Sequence, residues 1–300
     1  MAISRAGRWT LHYGLTAESP IMFAYLGLAY TIKQEFRVGA MNCEAALALL
    51  NAANNSVKVK THIIVWYMVM PWVRNVRDSA RPLLAGYNFG LQAGDVEGAM
   101  TCIFGKAIID LISGRSLQLI EQTCRIVVPQ MELFGLDDIS LLTRMLWQTV
   151  LNLIDDEIED QTMLVGEAFN EVDFTQDPSP SPHMKHYLDA FKSYLYLFTG
   201  EYTKGAELAL ERENKFIDNV PGSALGLVDL VSRGIPLVEM TRSTKKRSYS
   251  KALSEVKIRS KAWSSKGVCS IIHLEYLLEA EQAALDNRLD DACDFYKKVR

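Results

Sequence analysis

LLEAEQAALDNRLDDACDFYKKVR, from Leu277 to Arg300, reads as a helix, a tight polar turn at Asp286 to Arg288, and a second helix. Small side chains at Ala280, Ala283 and Ala284 allow two helices to approach closely, and Asn287 suits the turn between them. Ala292 and Tyr296, four residues apart, turn one face of the second helix back onto the first. Helical hairpins of this kind stack into arrays, each covering the apolar face of its neighbour. No further hairpin follows Arg300 in the sequence. A covering partner, a second copy paired through this helix, or a continuation of the polypeptide is therefore expected.

The same turn recurs along the chain. Gln34 with Gly39, Gly94 with Ala99, Gly200 with Gly205 and Asn287 with Ala292 each set a small residue five positions past a turn. That residue falls where the second helix crosses the first, and only a small side chain permits a close crossing there. Only one of the intervals between these turns approaches a multiple of the ~34-residue tetratricopeptide period, so the array is degenerate.

Apolar residues at helical spacing fill nearly every segment between turn signals, and strand-like alternation is almost absent. Pro20 opens a helix (IMFAYLGLAYTIKQ), and further helices are expected over 36–53, 57–81, 83–93, 96–113, 116–134 and 139–159. Beyond them come 183–199, 202–216 and 220–236, a basic Ser-rich stretch at 242–266, and the final pair over 268–300. NEVDFTQDPSPSP, residues 170–182, has three prolines in five residues and reads as an extended linker. The expected organisation is an N-terminal helical-repeat half over 1–170, a Pro/Ser-rich linker over 171–182 hinged at Asp177 to Pro182, and a C-terminal half over 183–300.

Hydrophobic residues make up 49% of the 300, enough for a sizeable core, while 23% charged residues and a net charge of −4 point to neither nucleic acid nor a membrane surface as partner. The most apolar run, Ile63 to Val73, is about half of the roughly 20 residues that a bilayer span needs, and Pro71 interrupts it. It reads as a buried helix. The five cysteines, Cys43, Cys102, Cys124, Cys269 and Cys293, are odd in number and have no CxxC spacing. They argue against a disulfide framework and for a reducing, cytoplasmic compartment. MAISRAGRWTLHYGL at the N-terminus has Arg5 and Arg8 but no continuous apolar stretch of the signal-peptide kind, and it reads as a frayed first helix.

SPIMFAYLGLAY (Ser19 to Tyr30), Trp72 followed by RPLLAGYNFGLQAGDVEGAM (Arg81 to Met100), LWQTVLNLI (Leu146 to Ile154), YLYLFTGEYTKG (Tyr194 to Gly205) and LEYLLEAEQAALDNRLDDACDFY (Leu274 to Tyr296) occur in that order. Together they resemble the tetratricopeptide-like helical middle region of large multidomain sensor kinases. In that family a serine/threonine-kinase-like domain and an AAA-type ATPase domain precede the helical array, and a GAF domain with a histidine kinase or another output module follows. The resemblance implies no catalytic residue in this chain, because the family's catalytic residues lie in the other domains. The basic stretch Arg242 to Lys266 matches none of these landmarks.

Several residue clusters invite a chemical reading. Asp155-Asp156-Glu157-Ile158-Glu159-Asp160 resembles the DDxxD-type pattern with which all-helical isoprenoid synthases hold magnesium and a diphosphate. Those enzymes need a second motif, and the nearest candidate, Asp229 and Ser232, has Pro236 where a glutamate is required. A solvated acidic helix end is the preferred reading. His183 and His186 have zinc-chelating spacing but no completing ligands nearby. His62 and His273 lie among apolar residues and are expected to be core histidines. Gly105-Lys106 has Met100 where a phosphate-binding loop needs its first glycine. Arg74, Arg77 and Arg81 fall at i, i+3 and i+7, a helical stripe suited to an acidic peptide or a phosphate, with Asp78 as the partner in a bland, solvated reading. The stretch from Arg242 to Lys266 has nine Lys/Arg and one acid, Glu255, and reads as an exposed loop and helix face. Ser243, Thr244, Ser248 and Ser250 within it are candidates for phosphorylation.

The sequence therefore predicts an all-α protein, a tetratricopeptide-like helical-hairpin solenoid or superhelix, with no catalytic, cofactor or metal site. Its expected role is a non-enzymatic scaffold for protein–protein interaction, coupling an ATPase/kinase module to a signalling output as the resemblance implies. The alternative from another class is a magnesium-dependent all-helical enzyme of the isoprenoid synthase type. A free-standing peptide-binding adaptor is the third reading.

Overall fold

Seven of the turns that follow helices are made by one residue that enters the left-handed region and reverses the chain. Gln34, Gly94, Gly114, Gly135, Gly200, Gly267 and Asn287 have φ between 59° and 91°. After six of them the next N–H reaches a carbonyl five residues back, as in Glu35 to Tyr30 (2.9 Å), Asp95 to Gly90 (2.9 Å) and Arg288 to Ala283 (2.8 Å). These are Schellman closures, which satisfy carbonyls that a helix end leaves orphaned. The computed structural model describes His12 and residues 14–176, 182–212 and 215–299. Among the described residues the protein is all-α, with no strand and a single isolated antiparallel bridge between Val165 and Asn170. None of the described helices is long and apolar enough to cross a membrane. All five cysteines are free thiols, and burial pushes Cys43, Cys102 and Cys124 up to about 12.

The chain divides into two compact units, one of Met1–Thr143 with Gly222–Ala224, the other of Arg144–Pro221 with Leu225–Arg300. The first unit has α1 (Ser19–Ile32), α2 (Phe36–Ala48), α3 (Asn55–His62), α4 (Met70–Val73), α5 (Ala80–Ala93), α6 (Val96–Ile112), α7 (Leu117–Leu133) and the start of α8 (Asp137–Ile154). α6 is buried on nearly every side, from Gly98 to Leu111, as expected of a helix apolar all round. Met100 and Ile103 of α6 join Val127 and Met131 of α7 in one core cluster. The second unit has the rest of α8, then α9 (Glu171–Gln176), α10 (Pro182–Phe198), α11 (Tyr202–Arg212), α12 (Lys215–Asn219), α13 (Leu225–Thr244), α14 (Arg247–Ser265), α15 (Ile272–Leu285) and α16 (Leu289–Val299).

The small residues after the turns sit at helix crossings. A Cβ added to Gly90 of α5 would lie 2.7 Å from the Ala99 Cβ and 2.8 Å from its backbone nitrogen, so α5 and α6 touch backbone to backbone. Gly39 of α2 meets the Gly27 carbonyl of α1 in the same way, at 2.8 Å from a built Cβ. Gly205 lies against Tyr196 and Pro236 with slightly more room, and Ala292 is buried on α16.

Residues 57–81 do not form one helix. Pro71 lacks an N–H, and its ring would clash with a carbonyl one turn back in a regular helix. The chain answers by widening: Ile63–Val69 is π-helical, and the Met70 N–H bonds to the Val65 carbonyl, five residues back. Arg74 then becomes extended (φ −125°, ψ 169°), and a 3-10 turn at Val76–Ser79 leads into α5. Elsewhere, the span 202–216 is described as α11 and the start of α12, with residues 213 and 214 outside the described set, Pro236 lies inside α13, and the basic stretch is largely helical as α14. The linker expected at 171–182 begins with α9, and residues 177–181 are outside the described set. So is the expected frayed helix up to residue 13, apart from His12. His62 is a core histidine, its Nδ1 bonded to the Lys58 carbonyl at 2.7 Å, whereas His273 is exposed. The difference is that His62 faces α5, near Phe89 and Gly86, while the neighbours of His273 turn inward without it.

Two outcomes follow from this packing. Gly90→Leu, which drives a branched side chain into the Ala99 backbone, is expected to lower unfolding free energy by about 3 kcal/mol or more in urea denaturation. An unchanged midpoint would contradict the close crossing. Burial holds the His62 imidazole below its ordinary value of 6.5, so its neutral form contributes stability that is present above that value and lost as pH falls through the folded value. Melting temperature should therefore fall on acidification from about pH 7 to about pH 5, and His62→Gln should flatten that decline.

Candidate functional site

The arginine stripe is not a stripe in the folded chain. Arg74 is the extended residue after α4, Arg77 belongs to the 3-10 turn, and Arg81 lies in α5. The extended backbone at Arg74 and the 3-10 turn after it remove the i, i+3, i+7 relation, which holds only along one helix. All three are exposed. Arg74 pairs with Glu44 of α2 at 2.8 Å, and Arg77 donates to the Ser113 carbonyl at the end of α6 at 3.1 Å.

The acidic run lies beyond a helix, not on one. α8 stops at Ile154, and Asp155–Asp160 form turns whose carboxylates take local N–H groups. Asp155 accepts from the Glu157 N–H and Asp160 from the Thr162 N–H, each at 2.9 Å. The Thr162 bonds hold the Asp160 carboxyl below its ordinary value, with a smaller contribution from Lys204. What ends the helix is its own inward side: buried Asn152 donates to the Gln161 and Met163 carbonyls at 2.9 and 2.7 Å, and Gln148 accepts from the Ala168 N–H at 3.0 Å. The acids border an open groove of about 580 Å³, where Lys204 lies 4.0 Å from Asp160 and 3.8 Å from Glu201. Among the described residues no cluster of three or more His, Cys, Asp or Glu is placed to hold a metal ion. His183 is exposed and His186 half-buried on α10.

Asp229, the nearest but incomplete candidate for the second motif, lies in the core of the second unit among arginines. The Arg212 guanidinium donates to its Oδ1, to the Asp189 carbonyl (2.8 Å) and to Ser193 Oγ (2.6 Å), while Arg233 lies 3.6 Å from its Oδ2. Arg212, Asp229, Ser232 and Arg233 are all buried. This network ties α11 to α10 and α13.

Above it, α13 and α15 with the start of α11 frame a smaller groove of about 190 Å³. Ile235, Val238, Leu277 and Leu278 supply its apolar lining, and Glu239, Arg242 and Glu281 its charged rim. Arg242 bridges Glu239, at 3.1 Å, and Glu281, and Tyr296 of α16 donates to Glu281 at 2.5 Å. Desolvation, then the bond to Glu281, pushes the Tyr296 phenol up to about 12, so it stays a donor at neutral pH. An apolar slot with a fixed ionic rim suits one apolar side chain of a protein segment, with polar backbone at the rim. Arg242 was visible in sequence only as the edge of a basic stretch, and the spacing of Ile235, Val238 and Arg242 was hidden by reading Pro236 as a helix end.

Comparison with protein-family models, with curated proteins and with solved structures finds no match.

Asp229→Ala would leave the Arg212 charge buried without its carboxylate. An unfolding free energy lower by about 3–5 kcal/mol is expected in chemical denaturation, against less than about 1 kcal/mol for the exposed Arg74→Ala. Similar losses in the two variants would show that Asp229 does not organise the second unit.

Proposed function

We propose that the chain is a non-enzymatic helical-repeat scaffold, of tetratricopeptide-like hairpin type, whose grooves receive segments of partner proteins or of neighbouring domains. The observation that carries the reading is the shared hairpin plan: a left-handed turn residue at Gln34, Gly94, Gly200 and Asn287, with a small residue five positions later. The slot between α13 and α15 adds a place for a partner side chain. Stacked hairpins contact chiefly their neighbours, so an array flexes and passes strain along its length. Such a part suits a sensor kinase of the type resembled above, where a helical array links kinase-like and ATPase modules to GAF and histidine-kinase output. The resemblance and the hairpin plan support that placement, and the cytoplasmic location goes with it.

Photo-cross-linking tests the scaffold reading. A photoreactive phenylalanine at Leu277, in the native cell, is expected to cross-link to a discrete protein or neighbouring domain, and Ile235→Glu should remove that product. Failure to obtain any product from Leu277 while a surface control behaves identically would count against a binding slot. Melting curves with magnesium and pyrophosphate test the enzymatic alternative. The scaffold reading predicts no change in melting temperature, whereas a rise abolished in Asp155→Ala and Asp156→Ala would replace it with a metal-dependent one.

A further inference from the structure

α7 is apolar on two opposite faces. Ile120, Cys124, Val127, Val128 and Met131 are buried in the first unit. Leu119, Ile126 and Leu133, spaced by seven residues, point the other way and are 62%, 63% and 80% exposed. Gln122 and Pro129, also exposed, fill the positions between them, so the outward face has the seven-residue spacing of a coiled-coil helix with apolar residues at every other seam position. Single exposed apolar residues need no explanation, but three large ones aligned between residues 119 and 133 of one helix do.

The residues that flank this seam decide what fits it. On one side lie Arg125 and Glu132, of opposite charge, and on the other Thr123 and Gln130, both uncharged. In a parallel pair of such helices, each charged flank would face the uncharged flank of its partner. In an antiparallel pair, like flanks meet. With Ile126 against Pro129 of a second copy and Leu133 against Gln122, Arg125 falls opposite Glu132 and Thr123 opposite Gln130, each twice about a two-fold axis. The surface is complementary to itself in that one register.

We propose that the outward face of α7 is a self-association surface, on which a second copy of this chain docks antiparallel. This does not depend on the scaffold reading, and it differs from pairing through the last helix. Arg125 already bonds Glu121 within α7 at 2.6 Å, and Glu132 too has an interaction within its own chain, so in the dimer both charges are shared between those partners and the second copy. Pro129, which has no N–H to offer a helix, loses nothing by facing the seam.

Sedimentation velocity on the whole chain, from about 1 to about 200 µM, is the test, a range that brackets the roughly micromolar association of weak interfaces. A concentration-dependent dimer is expected. Ile126→Glu, at an exposed site, should leave the helical circular dichroism and the melting temperature unchanged and abolish the dimer. Arg125→Glu and Glu132→Arg should each weaken it ~10-fold, and the double variant should restore it, because the swap recreates the same ion pairs. A chain that stays monomeric throughout, or a dimer indifferent to Ile126→Glu, would overturn the proposal. A dimer lost in Ile126→Glu but not restored by the double swap would overturn the antiparallel register. Dimerisation abolished instead by Leu289→Glu on α16 would assign pairing to the last helix.

Discussion

Backbone-to-backbone contact at the helix crossings is the constraint on which the architecture rests. When two helices meet at Gly90 and Ala99, no side chain separates them, and the rest of each interface must mesh at that short spacing. The left-handed residue at the preceding turn sets the direction from which the second helix returns. Turn and crossing are thus one device, since five residues advance the returning helix just past its first turn. Substituting the small residue would lift one helix off the other along its whole length.

The second unit adds a polar solution to this apolar one. Arg212 joins two elements through one planar fork, with Asp229 and Ser193 as acceptors, and the region around it is closed to water. Buried ion pairs of this kind contribute little net stability over an apolar equivalent but penalise any other arrangement. Asn152 and Gln148 act similarly on a smaller scale. Their amides hold the loop after α8 by its backbone, which gives a segment without regular structure a defined course.

Turns and crossings were legible in the sequence because each depends on one residue type at one position. Gln34 and Asn287 were recognisable as turn residues by their place between apolar periods, without being glycine. Helix ends were less legible. Ile154 ends α8 because Asn152 finds carbonyls in a later loop, and no local pattern announces a partner nine or eleven residues away. The slot between α13 and α15 depends on Pro236 being tolerated inside a helix, against the usual meaning of proline. The double face of α7 is visible as composition, but periodicity cannot say which apolar face the fold will bury. Three of the carboxylates in the acidic run and its nearest second motif have partners that sequence does not show, backbone N–H groups at Asp155 and Asp160 and arginine at Asp229.

The π-helical stretch at Ile63–Val69 carries a consequence for how this chain can be compared with others. A wide turn holds more residues than a regular one, so every position beyond it is rotated about the axis relative to an unbroken helix. Counting by 3.6 from the start of the segment therefore loses its meaning at Val69, and the extended Arg74 with the 3-10 turn after it breaks the count a second time. Deleting one residue upstream of Pro71 would restore the count and turn Trp72, now buried, toward a different neighbour. For this segment an alignment gap of one is a change of facing, not of length.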